Sequence, residues 1–155
     1  MALIDPGRKA PAFSLKDQNG KLRRLSDYAG QPVVGFFYPK DNTTGCTKEA
    51  CAFQATLPRF AKSKAAVVGI SILDEASKAK FANKYGLEFP LLADADHAVA
   101  ESYGVWQKKS LYGRSFMGIV RTTYLIDSGG RVHKRWDNVK VEGHAEAVRE
   151  AIDEM

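Results

Sequence analysis

A chain of 155 residues, 45% hydrophobic and 26% charged, has the size and composition of one soluble globular domain spanning residues 1–155, large enough to bury a core without disulfide staples. No apolar run approaches the ~18 residues of a membrane-spanning helix, and the opening MALIDPGRKAPAF lacks the apolar centre of a signal peptide, so a cytoplasmic chain with no membrane partner is expected. The formal charge of +5 is scattered, its densest groups being Lys21-Leu22-Arg23-Arg24 and Lys108-Lys109, which favours a solvated basic surface over nucleic-acid binding.

Residues 12–25 read as a small hairpin, with Phe13 and Leu15 before a turn at Asn19-Gly20 and Leu22 and Leu25 after it. The continuous apolar run Val33 to Tyr38 has the pattern of a central strand buried on both faces, ended by Pro39. A helix follows, capped by Thr43 or Thr44, with Ala50, Phe53, Leu57 and Phe60 as its buried stripe and Pro58 as a kink or end. Ala66 to Ile72 is a second buried strand. Asp74 caps a helix running through Tyr85, and Gly86 stops it. Phe89 to Leu92 is a short strand, and Asp96 to Tyr103 a short helix closed by Gly104. Thr122 to Ile126 and Val132 to Trp136 form a hairpin around Asp127-Ser128-Gly129-Gly130, and the last helix carries Ala147, Val148, Ala151, Ile152 and Met155 on one face. A right-handed crossover makes the first two long strands parallel. The expected architecture is α/β, a central mixed sheet flanked by helices, compatible with a thioredoxin-like core that carries an N-terminal β-hairpin and an insertion at about residues 89–118.

Both cysteines of the chain lie in FYPKDNTTGCTKEAC, as Cys46 and Cys51. A structural zinc site takes four Cys or His ligands in pairs. His97, His133 and His144 are far in sequence from the thiols and from one another, so neither metal nor cofactor is expected. A thioredoxin-type reductase has Cys-x-x-Cys, whereas this spacing is Cys-x4-Cys. Cys46 falls in the first turn of the expected helix, where unpaired N–H groups and the dipole favour a thiolate. A free thiol is only about 3% ionised at pH 7. Lowering the pKa raises the thiolate fraction but reduces the thiolate's intrinsic nucleophilicity, so a fast enzyme needs donors that stabilise the transition state. In a continuous helix, residues five apart have Cα atoms about 8.6 Å apart and point about 140° apart. A disulfide needs less than about 7 Å. Either the two thiols never bridge, or the helix start unwinds, with Gly45 as a weak point.

Pro39-Lys40-Asp41-Asn42-Thr43-Thr44-Gly45-Cys46 matches the Pro-x3-Thr-x2-Cys signature of peroxiredoxins. The longer FYPKDNTTGCTKEACAF, with DPGRKAPAFSLKDQNGK, VVGIS, KFANKYGLEFPLLAD, YGVW and MGIVRTTYLID, resembles the peroxiredoxin Q (bacterioferritin comigratory protein) branch over nearly the whole chain. The resemblance implies a thioredoxin fold and a thiol peroxidase acting on hydroperoxides. It implies Cys46 as the peroxidatic nucleophile and Cys51 as the resolving thiol of an intramolecular disulfide, reduced by thioredoxin or a similar dithiol protein. It assigns Thr43 and Arg121 to peroxide activation, Pro39 to shielding the site and Glu49 to orienting the arginine. A monomer is the expected state, with a weak dimer as the alternative.

The chain departs from the family at Thr44, where Pro is usual, which should loosen the loop before Cys46. It also has Leu73 where the branch often has Asp, with Asp74 following. Read without the family, each residue has a plainer role. Cys51 suits a packed core, Arg121 a surface cation, Thr43 a helix cap, Glu49 a partner for the helix dipole and Pro39 a strand end. A thiol-disulfide oxidoreductase and a non-enzymatic redox sensor are the competing functions. The absence of a Pro immediately before the strand at 122 argues against the oxidoreductase.

Overall fold

The computed structural model describes residues 2–155. Its centre is a five-stranded sheet built around the apolar run of the sequence. β3 (Val33–Phe37) is buried along its whole length and lies in the middle. On one side it pairs in parallel with β4 (Ala66–Ser71), and β4 pairs in parallel with β5 (Leu91–Ala93). On the other side it pairs antiparallel with β8 (Thr122–Ile126), which pairs with β9 (Val132–Trp136) in the expected hairpin. A strand covered on both faces can be apolar throughout, which is why β3 lacks the alternation of a half-exposed strand.

Alternate residues of β3, with Tyr38 just past its end, feed two cores. Val34, Phe36 and Tyr38 pack with Phe53 and Phe60 of α1 (Thr44–Lys62), Phe81 of α2 (Glu75–Tyr85) and Val148 of α4 (His144–Asp153). Val33 and Phe37 pack on the opposite face with Val99 and Ala100 of α3 (Ala98–Ser102) and with Ala10 and Phe13 of the N-terminal segment. That segment carries the expected hairpin, β1 (Ser14–Lys16) against β2 (Leu22–Arg24). Asp74 caps α2 by accepting from the Ser77 N–H, and Gly86 ends it in the left-handed conformation. No helix among the described residues is long and apolar enough to cross a membrane.

Three features differ from the sequence reading. Pro58 does not end α1, which runs on to Lys62. Pro58 is exposed, so the carbonyl it strips of a partner, one turn earlier at Gln54, lies on the solvent side. The insertion holds a second hairpin, β6 (Trp106–Leu111) with β7 (Arg114–Ile119), turning at Tyr112-Gly113, both at positive φ as a two-residue hairpin turn requires. Its residues are mostly exposed, so no period-2 burial marks it in the sequence. The buried face of α4 is His144, Ala145, Val148, Ala151 and Ile152, while Met155 lies beyond the helix and is exposed.

Candidate active site

The site forms where the chain leaves β3. The antiparallel register places Phe37 opposite Thr122, so Arg121, one residue before β8, lies beside the loop that leads from β3 into α1. Cys46 is in the first turn of α1 and is 1% exposed. Arg121 Nη2 donates to Cys46 Sγ at 3.3 Å, and its Nη1 donates to Glu49 Oε1 at 2.8 Å. Residues three apart on a helix share a face, so Cys46 and Glu49 present sulfur and carboxylate to the two arms of one guanidinium. The plain reading of Arg121 as a surface cation is not met, since its side chain is only 18% exposed and is spent on these two partners.

Glu49 is buried, and its second oxygen, Oε2, has no hydrogen-bond partner. Burial pushes its carboxyl up to about 7, against the pull of Arg121. Gly45 completes the cradle by having no side chain. A Cβ there would stand 3.1 Å from Arg121 Nη2, so any larger residue would make the guanidinium shift by a few tenths of an ångström.

The remaining predicted residues lie on the same loop and helix. Thr43 occupies the N-cap position with extended backbone, but its hydroxyl donates to the Lys40 carbonyl at 2.9 Å and does not cap the helix. Pro39 is half-buried in the loop. Cys51 is half-buried on the same unbroken α1, and both thiols are free. Helix geometry keeps Cα atoms five residues apart about 8.6 Å from each other, outside disulfide range. This is the reduced, wound arrangement.

Two buried groups escaped the sequence reading. Asp41 and Lys78 form a buried ion pair at 3.0 Å, and Lys78 Nζ lies 5.3 Å from the centre of the Tyr38 ring. The signal was present: Lys78 stands on the stripe with Phe81, Ala82 and Tyr85, a charge at a position where the helical period demands an apolar residue. His144, at the start of α4, lies 2.8 Å from Thr123 Oγ1 and edge-on to Phe53 and Trp136. Burial first, and then the charge of Arg121, lower it to about 4, so it is neutral at pH 7.

A cavity of about 300 Å³ lies near the opposite end of β3, lined by Lys9, Leu25, Tyr28, Val33 and Gly130 and by no thiol. Cys46 and Arg121 lie instead at the carboxyl end of the central strand, the end at which α/β sheets bind ligands.

Residues 6–135 match the AhpC/TSA family. The chain belongs to it. Peroxiredoxin Bcp of Bacillus subtilis is 42% identical over 152 residues, covering 98% of this chain and 97% of the relative. Peroxiredoxin Bcp of Escherichia coli is 40% identical over 145 residues, covering 94% and 93%. Among solved structures, a cysteine-to-serine mutant of PrxQ from Xylella fastidiosa superposes with a TM-score of 0.94 at 34% identity, covering 99% of this chain and 98% of that one. The bacterioferritin comigratory protein of Xanthomonas campestris, whose trapped intermediate and ligand complexes concern alkyl peroxide reduction, gives 0.91 at 38% identity, covering 97% and 98%. This peroxiredoxin is thus a thiol-dependent peroxidase of the bacterioferritin comigratory protein branch, and its mixed sheet with flanking helices is the thioredoxin-like fold. In this peroxiredoxin Arg121 bridges Cys46 and Glu49. Thr43, Pro39 and Cys51 flank them on one continuous stretch of chain.

Proposed function

We propose that Cys46 is the peroxidatic nucleophile and that Cys51 resolves it. The observation that carries this reading is the Arg121 guanidinium shared between Cys46 Sγ at 3.3 Å and Glu49 Oε1 at 2.8 Å, in a nearly water-free place. The Cys46 thiolate attacks the terminal oxygen of a hydroperoxide, ROOH. The S–O bond forms, the O–O bond breaks, and RO⁻ leaves and takes a proton to give ROH. Sulfur is oxidised and the peroxide reduced. Arg121 remains charged throughout and offers N–H donors to the oxygen on which charge grows. The Thr43 hydroxyl both accepts from the peroxide and donates to the leaving oxygen once it releases Lys40. Pro39, with no N–H, covers the thiolate with apolar surface.

The product is a Cys46 sulfenic acid. The first turns of α1 then unwind, Cys51 attacks the sulfenic sulfur, and water leaves as the 46–51 disulfide forms. Thr44, in place of the usual proline, leaves the entry to that segment freer. A dithiol protein of the thioredoxin type reduces the disulfide and is oxidised in turn. We take the chain to work in the cytoplasm as a monomeric single domain.

Steady-state peroxide consumption with a thioredoxin system tests this. Cys46→Ser is expected to abolish turnover. Cys51→Ser is expected to keep the first oxidation and lose steady turnover, and peroxide-treated wild type is expected to show the 46–51 disulfide by mass spectrometry. Turnover retained in Cys46→Ser would overturn the assignment.

A further inference from the structure

The loop that precedes Cys46 is fastened to α2 by a largely buried polar cluster. Asp41, five residues before the thiol, has every carboxylate contact filled. Its Oδ1 accepts from Tyr38 Oη at 2.6 Å and its Oδ2 from Ser77 Oγ at 2.8 Å, while Lys78 Nζ reaches the two oxygens at 3.2 and 3.0 Å. Lys78 also donates to Ser71 Oγ. Lys78 and Ser71 are 0% exposed, and Asp41 is 7% exposed. The next residue, Asn42, stands at φ 61 and accepts from Tyr85 Oη at 3.0 Å, seven residues further along α2 than Lys78. Residues 41 and 42 are therefore tied to one face of α2, while Thr43, Thr44 and Gly45, which follow them, make no such tie and are exposed or half-buried.

We propose that the Asp41–Lys78 pair, with Asn42–Tyr85 beside it, is a latch that sets how readily the start of α1 unwinds, and so divides Cys46 between two fates. Lifting Asp41 would leave an ammonium buried without its counter-charge, which is costly. The latch therefore confines unwinding to the residues after Asn42 and holds Cys46 in the wound arrangement where Arg121 meets the sulfur. The two fates of the sulfenic acid are chemically distinct. Condensation with the Cys51 thiol gives the disulfide and water. A second hydroperoxide instead oxidises the sulfur to sulfinic acid and leaves as ROH. A tight latch slows the first and so favours the second. Asp41 and Lys78 act through the backbone and are positioning residues. The proposal rests on Cys46 being oxidised and Cys51 resolving it.

The test measures, by mass spectrometry of intact protein, the hydroperoxide concentration at which half of Cys46 becomes sulfinic acid under turnover with a thioredoxin system. In the double variant Asp41→Asn with Lys78→Met, which removes both charges and leaves groups able to bond Tyr38 and Ser77, that concentration is expected to rise about tenfold, the effect of about 1.4 kcal/mol on the unwinding equilibrium. Tyr85→Phe, at a half-buried position that keeps its ring, is expected to move it in the same direction by about twofold, from loss of a single hydrogen bond. A folded double variant with unchanged partition overturns the latch. If that variant does not fold, an unchanged partition in Tyr85→Phe overturns it. A wild type that forms no 46–51 disulfide removes instead the reading on which the latch rests, and is seen before any variant is compared.

Discussion

Two buried ion pairs flank the start of α1, and they are built to opposite specifications. Asp41–Lys78, before the thiol, is saturated: the carboxylate and the ammonium each have further hydroxyl partners. Glu49–Arg121, after it, is left short, because Glu49 Oε2 has no donor and Arg121 spends one arm on sulfur. A fully satisfied buried pair fixes a conformation, whereas an incompletely satisfied one keeps hydrogen-bonding capacity in reserve for something that arrives. A carboxylate paired with a cation therefore anchors the chain on one side of Cys46 and leaves an acceptor open on the other.

That contrast is sharpest in stability. Lys78→Met alone strands the Asp41 carboxylate and is expected to cost about 3 kcal/mol or more in urea unfolding, while the double variant with Asp41→Asn recovers most of it. Equal losses in the two would mean that the charges are not paired energetically. Arg121→Ala is expected to act on rate instead, lowering the second-order rate of Cys46 oxidation about 10²- to 10³-fold in stopped-flow measurements. A similar rate in that variant would break the claim that the second pair is the reactive one.

Glu49 and His144 should also make stability depend on pH, with opposite signs. Glu49 has its ordinary value of 4.5 in the unfolded chain and about 7 in the folded protein, so folding takes up a proton between these values. Stability from this group is present at low pH and declines as pH rises through about 7. His144 acts with the opposite sign, since its fall from 6.5 to about 4 gives stability that is present above 6.5 and is lost as pH drops. Glu49→Gln is expected to remove the first trend, so that its unfolding free energy rises more steeply with pH between about 4.5 and 7 than that of the wild type. Parallel pH profiles would show that Glu49 stays ionised beside Arg121. The smallest effect is expected from Gly45→Ala. Its Cβ would press on Arg121 Nη2 from 3.1 Å. That contact is expected to lower the oxidation rate about threefold, and the helix start, stabilised by about 1 kcal/mol, to slow disulfide formation about fivefold.

Much of this was legible in the residues. The apolar run from Val33 to Tyr38 announced a buried central strand, and the Asp74 cap and Gly86 stop bounded α2. The Pro-x3-Thr-x2-Cys signature singled out Cys46, and Arg121 and Glu49, which the structure brings to it, came from the resemblance. The β6–β7 hairpin was not legible, because exposed strands carry no burial pattern. Pro58 misled, because a proline facing solvent gives up one hydrogen bond without breaking the packing that holds α1.

Local sequence determined the buried strands and the amphipathic helices, and placed Cys46 in a helix's first turn, since burial periodicity depends on neighbours in the chain. Only the tertiary structure decided what surrounds that thiol. Arg121 is 75 residues from Cys46 and reaches it through the antiparallel register of β3 and β8, and Lys78 is 37 residues from Asp41 and meets it through the packing of α2. Such pairings depend on strand register and helix docking, which bring together groups that no local pattern relates.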